Sequence, residues 1–254
     1  MSPIASRQNP RLKALRRLHG KREREREGAF VAEGEDLIAA AARAGRIPLA
    51  GYRLAGTRIG GEDFIDVERS ALADVSSLGS GSRVIAVYEQ CWGPAAGPLC
   101  VYLHGVADPG NVGTVLRSAE AFGASCVALG PGCADPHSPK AVRASMGAIF
   151  SVALARVADV EQLPGQRIAL SAAGGEDLGA VCAEVPAPIS LLVGAERDGL
   201  PPALLSRPAR AARIPIASES LNAAMAATVA LYELARTRAS REQSPPQPSR
   251  VPAS

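Results

Sequence analysis

The sequence predicts an α/β protein in two units, the larger built on a parallel sheet with helices on both faces. Short apolar, strand-like runs alternate with helix-periodic stretches along most of the 254 residues. A segment of linker composition, Gly93–Pro98 (GPAAGP), interrupts that alternation once. The balance of 47% hydrophobic to 21% charged residues is that of a globular chain.

Ahead of the linker, Asn9-Pro10 opens a helix over Arg11–His19, in which Leu12, Leu15 and Leu18 recur at three-residue spacing. A strand at Phe30–Ala32 precedes an alanine-rich helix, Asp36–Ala44, which Gly45 ends. Strands at Gly51–Leu54, Phe64–Val67 and Arg83–Tyr88, with a helix at Ser70–Val75, complete a small α/β unit over residues 1–92. Beyond the linker, strands are expected at Leu99–His104, Cys126–Leu129, Ile168–Ser171, Ile189–Val193 and Arg213–Ile216. Helices at Val112–Phe122, Pro139–Met146 and Leu221–Arg238 fill the second unit, residues 99–238. Residues 239–254, rich in Pro, Ser and Gln, are expected to be a disordered tail.

Charge is concentrated at the start. Residues 1–27 hold nine basic and three acidic side chains, net +6, within a chain of net +3. Such a segment makes a positive field suited to a polyanion, although Lys21–Glu27 also reads as a solvated helix face of paired charges. Aromatics are only 4% of residues, too few for a site built mainly on stacked bases. The five cysteines are scattered without a C-x-x-C, which fits a reducing compartment and argues against zinc or a disulfide framework. No apolar run follows the start or approaches the ~18–20 residues of a membrane span, so a cytoplasmic protein is expected.

Dinucleotide, P-loop, zinc-protease and nucleophile-elbow signatures are all missing, and the three histidines are far apart. What remains is three polar clusters, each at the end of a candidate strand, where open α/β sheets place ligands. The first, Asp108–Arg117, turns at Pro109-Gly110, and Asn111 can cap the following helix. Val112, Val115, Leu116, Ala119 and Gly123 form its buried stripe, with Arg117 about 150° away and free to meet an anion. The second, Leu191–Pro201, offers Gly194 and Gly199 for close backbone approach and Glu196 as an orienting carboxylate. In the third, Arg213–Asn222, Ser220 is a natural N-cap for a helix apolar nearly all round, and such a helix is buried.

Together these clusters resemble the SpoU (TrmH-like) family of 2′-O-ribose RNA methyltransferases, in the SPOUT superfamily. The matching residues are Asn111–Gly123, Gly194-Ala-Glu196 with Gly199-Leu200, and Ile214-Pro215 with Ser220-Leu-Asn222; Asp135–Gly147 looks like the family's intervening segment. The segments Ile4–Lys13 and Gly28–Gly34 resemble the RNA substrate-binding domain found ahead of many members, an α/β sandwich like certain ribosomal proteins.

The resemblance implies a C-terminal trefoil knot, a homodimer and S-adenosylmethionine as cofactor. It places the cofactor against Ser171, Ala172, Gly194, Ile214 and Leu221, and the catalytic group at Asn111, Arg117, Glu196, Ser220 and Asn222. Arg7, Arg11 and Lys13 would contact RNA phosphates; no metal is implied. An arginine holds its proton too tightly for a general base, so Arg117 is expected to clamp a phosphate and polarise the ribose hydroxyl. Ribosomal RNA is the favoured substrate. A tRNA substrate, or a catalytically silent RNA-binding protein of the same fold, is the alternative, and a nucleotide-binding dehydrogenase is more remote.

Overall fold

In the four-stranded sheet of the N-terminal part, residues alternate between two cores because side chains along a strand point to opposite faces. On the first strand, β1 (Ala29–Glu33), Ala29 and Val31 pack against helices α1 (Pro10–Arg17) and α4 (Arg69–Val75). Phe30 and Ala32 face the other way, into a core shared with the C-terminal part. The computed structural model describes residues 2–78, 81–172, 174–205, 209–217 and 220–243. The remaining elements of this layer are α2 (Lys21–Glu27), α3 (Glu35–Arg43), β2 (Ala50–Leu54), β3 (Ile65–Val67) and β4 (Val84–Glu89). The strand order is β1-β4-β2-β3, with β4 antiparallel to both neighbours and β2 parallel to β3.

The C-terminal sheet is wholly parallel, in the order β7-β6-β5-β10-β8-β11-β9. In chain order its elements are β5 (Leu99–Leu103), α5 (Pro109–Ala121), β6 (Cys126–Leu129), α6 (Pro139–Ala144), β7 (Ala153–Arg156) and β8 (Gln166–Leu170). There follow β9 (Glu176–Asp177), α7 (Leu178–Glu184), β10 (Ile189–Val193), α8 (Pro202–Leu205), β11 (Ala209–Arg213) and α9 (Ala223–Gln243). Every residue of β5, β6 and β10 is buried, as continuous apolar runs require in a sheet covered on both faces.

Several expectations need correction. Strand β11 runs over Ala209–Arg213, not Arg213–Ile216, because Pro215 has no N–H to give a ladder. Asp108, not Asn111, caps α5: its carboxylate accepts the Gly110 N–H at 2.5 Å, and Asn111 sits inside the first turn. Asn222, not Ser220, caps α9, accepting the N–H groups of Ala224 and Met225 at 2.9 and 3.3 Å. Gly123 leaves the buried stripe and ends α5 at φ 70°, where the following amide of Ala124 reaches back to the Ala119 carbonyl at 2.8 Å. Helix α9 is buried on one side only: Ala224, Ala227 and Leu231 are enclosed, while Met225, Val229 and Tyr232 lie 58, 40 and 52% exposed. It also continues to Gln243, so residues 239–243 of the expected tail are helical, and residues 244–254 lie outside the described residues.

The Gly93–Pro98 segment is not a free tether. The Gly93 amide donates to the Leu154 carbonyl at 2.8 Å, lying along the outer edge of β7. One residue of the basic N-terminal run leaves solvent, while its neighbours on α2 keep the expected exposed pairs Lys21–Glu25 and Arg26–Glu23. Arg24 is 3% exposed, and its guanidinium holds Asp135 at 2.7 and 2.9 Å and the carbonyls of Leu18 and His19 at 2.9 and 2.7 Å. His137 lies 3.8 Å from Asp135 of this pair and packs against Phe30, which with Tyr88 and Phe150 joins the two sheets through one core.

Candidate active site

Strands β5, β10, β8 and β11 are neighbours and point the same way, so the loops leaving their C-terminal ends meet along one edge of the sheet. This is where an open parallel sheet places a ligand. A cavity of about 350 Å³ opens there, within the range of small-molecule sites. Its walls include Ser171 and Ala172 after β8, Gly194 and Glu196 after β10, Ile214 after β11, and Ser220 and Leu221 ahead of α9. These are all five residues expected to hold a cofactor, together with two of the five expected to be catalytic.

Small residues shape the opening. A Cβ on Gly194 would lie 2.1 Å from the Gly199 backbone, because the loop folds back on itself. Ala195 and Gly199 exchange backbone hydrogen bonds at 3.0 and 3.2 Å, and Gly199 takes φ 64°, a conformation suited to glycine.

Beside the cavity a chain of side-chain amides links all three clusters. The Asn222 Nδ2 group donates to Asn111 Oδ1 at 3.1 Å, and Asn111 Nδ2 in turn donates to Glu196 Oε1. Asn222 is oriented by the two helix amides it accepts, so the chain runs from the start of α9, through α5, to the β10 loop. Asp108 fixes the α5 end. The Lys140 ammonium at 3.0 Å and then the Gly110 amide hold its carboxyl below the usual range. Farther along, Thr228 gives its hydroxyl proton to the Ala224 carbonyl at 2.8 Å and so accepts from Ser118 at 2.6 Å, pinning α5 to α9.

Arg117 does not join this chain. It lies on the exposed side of α5 and has no hydrogen bond or ion pair among the described residues. Arg7, Arg11 and Lys13 lie in the N-terminal layer and away from the cavity lining: Arg7 approaches Asp74 at 3.9 Å, Arg11 is exposed and Lys13 half-buried. The cavity also takes in Arg197, Ile216 and Ala226, which were not singled out from sequence. Their signal was position, each within a few residues of a named one.

Residues 98–232 match the model of the SpoU rRNA Methylase family, and residues 9–86 match that of the MRM3-like substrate binding domain. The chain belongs to the SpoU rRNA methylase family. A 23S rRNA (guanosine(2553)-2′-O)-methyltransferase of Bacillus subtilis is 30% identical over 92% of this chain and 99% of its own length. An AdoMet-bound rRNA methyltransferase from Sinorhizobium meliloti superposes with a TM-score of 0.82 at 30% identity, over 92% of this chain and 97% of that one. The SpoU methyltransferase AviRb from Streptomyces viridochromogenes, in complex with AdoMet, gives 0.82 at 27% identity over 92% and 99%. The SpoU match begins just before β5 and ends within α9, so it spans every loop that lines the cavity.

Proposed function

We propose that this chain transfers the methyl group of S-adenosylmethionine to a ribose 2′-hydroxyl of ribosomal RNA, in the cytoplasm. The observation that carries the reading is the Asn222–Asn111–Glu196 hydrogen-bond chain beside a cavity walled by three parallel-strand ends and the start of α9. The cavity suits the cofactor: Ile214 and Leu221 offer apolar surface to an adenosine, Gly194 lets the backbone come close, and Glu196 supplies a carboxylate near a sulfonium. When bound, S-adenosylmethionine supplies a methyl group already activated by its positive sulfur.

The protein then has to align the acceptor oxygen and restrain the RNA. Arg117, uncommitted among the described residues, would clamp a backbone phosphate and polarise the hydroxyl. Asn111, held at both ends of its amide, orients the Glu196 carboxylate rather than turning freely. Ser220, on the cavity wall, completes the group. The basic residues Arg7, Arg11 and Lys13 would hold RNA phosphates, with the units divided at residues 93–98.

The exposed stripe of Met225, Val229 and Tyr232 supports a homodimer formed through α9, since three large apolar side chains on one helix face favour a second surface. Sedimentation equilibrium at micromolar concentration should give twice the monomer mass; a monomer would refute it. The return of the chain from β11, across β8 and β10, to place Asn222 against Asn111 supports the knotted path of the family.

Titration calorimetry with S-adenosylmethionine, followed by labelled methyl transfer to purified 23S rRNA, 16S rRNA and tRNA, tests the assignment. Saturable binding and ribose labelling of rRNA are expected. Binding without transfer to any RNA would leave a silent RNA-binding protein, and labelling of tRNA alone would overturn the substrate.

A further inference from the structure

The same edge of the large sheet carries a second cleft, outside the family's cofactor cavity. It has a volume of about 430 Å³ and lies where the C-terminal ends of β6 and β7 face α2 of the N-terminal layer. Its walls include Trp92, Arg156, Lys21, Pro131 and Gln162. We infer that this cleft binds a nucleotide of the RNA substrate, with one base stacked on the Arg156 guanidinium and its phosphate beside Lys21. The inference rests on the reading of the chain as an RNA methyltransferase and adds a place where the RNA is held.

Three observations carry it. First, Arg156 is exposed and has no hydrogen bond or ion pair among the described residues, yet it is ordered by an aromatic ring: its guanidinium carbon lies 4.2 Å from the centre of the Trp92 ring. A guanidinium with one face on an indole presents the other as a flat, cationic platform, the surface on which unstacked RNA bases settle. Trp92 is the chain's only tryptophan, so this platform is not one of many. The indole is itself held, its Nε1 donating to Gln90 Oε1 at 3.2 Å while His137 packs edge-on at 5.2 Å.

Second, the charge balance favours an anion. Glu25 pairs only at 3.9 Å with Lys21, on the exposed face of α2, and Asp135 is neutralised by the buried Arg24. Arg156 is left as the uncompensated charge.

Third, the cleft and the cofactor cavity are parts of one rim. The loop after β6 is stitched to the loop after β5 by hydrogen bonds from Gly130 to Leu103, Gly105 to Pro131 and Ala134 to Val106, at 2.8, 2.9 and 2.9 Å. Asp108, which caps α5, and Asn111, in its first turn, follow that β5 loop. Strand spacing puts the ends of β6 and β7 about 10–14 Å from the end of β10, which is within reach of nucleotides flanking a methylated one. The Arg24–Asp135 pair clamps α2 to the catalytic unit, so the cleft is formed before RNA arrives.

The single tryptophan makes a direct probe. Adenosine and uridine dodecamers titrated into the full-length protein should change Trp92 emission saturably, whereas inorganic polyphosphate, a polyanion without bases, should change it little. Arg156→Ala should weaken dodecamer affinity about 10-fold, the order expected for one stacked base. Arg156→Lys, which keeps the charge and loses the plane, should weaken it nearly as much. In methyl transfer, Arg156→Ala should raise the KM for RNA and leave kcat and S-adenosylmethionine binding unchanged. Polyphosphate acting as well as RNA, or full rescue by lysine, would reduce the cleft to a diffuse positive patch and overturn the proposal. Normal methyl transfer with unaltered Trp92 emission would sink the cleft alone, whereas loss of S-adenosylmethionine binding in the unmodified protein would sink the functional reading.

Discussion

In the four-stranded layer Arg16 meets Asp74, Arg53 meets Asp66 at 2.7 Å and Arg83 meets Glu35, whereas beside the seven-stranded sheet Arg117 on α5 and Arg156 at the end of β7 have no acidic partner among the described residues. By formal charge the N-terminal run is the basic part of the molecule. By pairing, part of that charge is already answered, by Asp74, Glu23, Glu25 and Asp135, whereas Arg117 and Arg156 stand with Arg11, Arg17 and Arg22 as arginines without a described acidic partner. Counting charges locates a polyanion only after internal partners are subtracted, because a paired guanidinium has given its donors away. The contrast makes unlike demands on the two classes: an exposed unpaired arginine should matter to RNA and chemistry and little to stability, and a buried paired one the reverse.

The largest effect is expected at Arg117. Arg117→Ala removes an exposed side chain without hydrogen-bond or ion-pair partners among the described residues, so the melting temperature should stay within a degree or two. Methyl transfer should fall about 100- to 1,000-fold, the usual cost of deleting a donor that stabilises developing charge, with S-adenosylmethionine affinity unchanged. Near-normal turnover would remove Arg117 from the catalytic group and blur the contrast.

Arg24→Ala is the opposite case. It strands the Asp135 carboxylate and the Leu18 and His19 carbonyls in the junction, and breaking a buried pair by removing one partner costs about 3–5 kcal/mol. Urea denaturation should show that loss. A change under ~1 kcal/mol would mean the two layers are held by apolar contact alone.

Sequence made one side of this contrast visible and hid the other. Strands β6 and β10 occupy the residues expected, because a continuous apolar run such as Ile189–Val193 has no other stable place than a covered sheet. Glu196 was legible as the first polar residue after such a strand, whereas Asn111 and Ser220 stood out only as candidate helix caps. Strand β11 (ARAAR) carries too little apolar surface to read as a strand, and short β7 went unseen for a similar reason. Arg24 could not be told from its neighbours in a run of alternating charges, since its partner lies 111 residues away. The Trp92–Arg156 platform was hidden likewise, assembled from the last residue before a segment that reads as linker and an edge strand that does not read at all.

The same junction predicts a pH dependence. Burial lowers the pKa of His137 from 6.5 to about 4, with Asp135 opposing and Arg24 assisting. The unfolded state therefore binds more protons between these values, and stability rises with pH there. Neutral His137 contributes fully above about pH 6.5, and the contribution is lost as pH falls through 4. Thermal unfolding from pH 7 to 4 should show a steeper decline than in His137→Asn, whatever that variant's baseline stability. Parallel profiles would place the acid sensitivity elsewhere.

The smallest effect separates residues within the basic segment itself. Arg11 is exposed with no ion-pair partner among the described residues, and Lys13 is half-buried and likewise unpaired, whereas Arg7 shares Asp74 with Arg16. Each phosphate contact contributes about 0.9 to the slope of log affinity against log salt for a duplex. Replacing Arg11 and Lys13 together by alanine should flatten that slope for rRNA by roughly one to two, and Arg7→Ala should change it less. Equal effects from all three would show that RNA displaces Asp74 from its arginines, so that pairing in the free protein does not forecast which charges the nucleic acid meets.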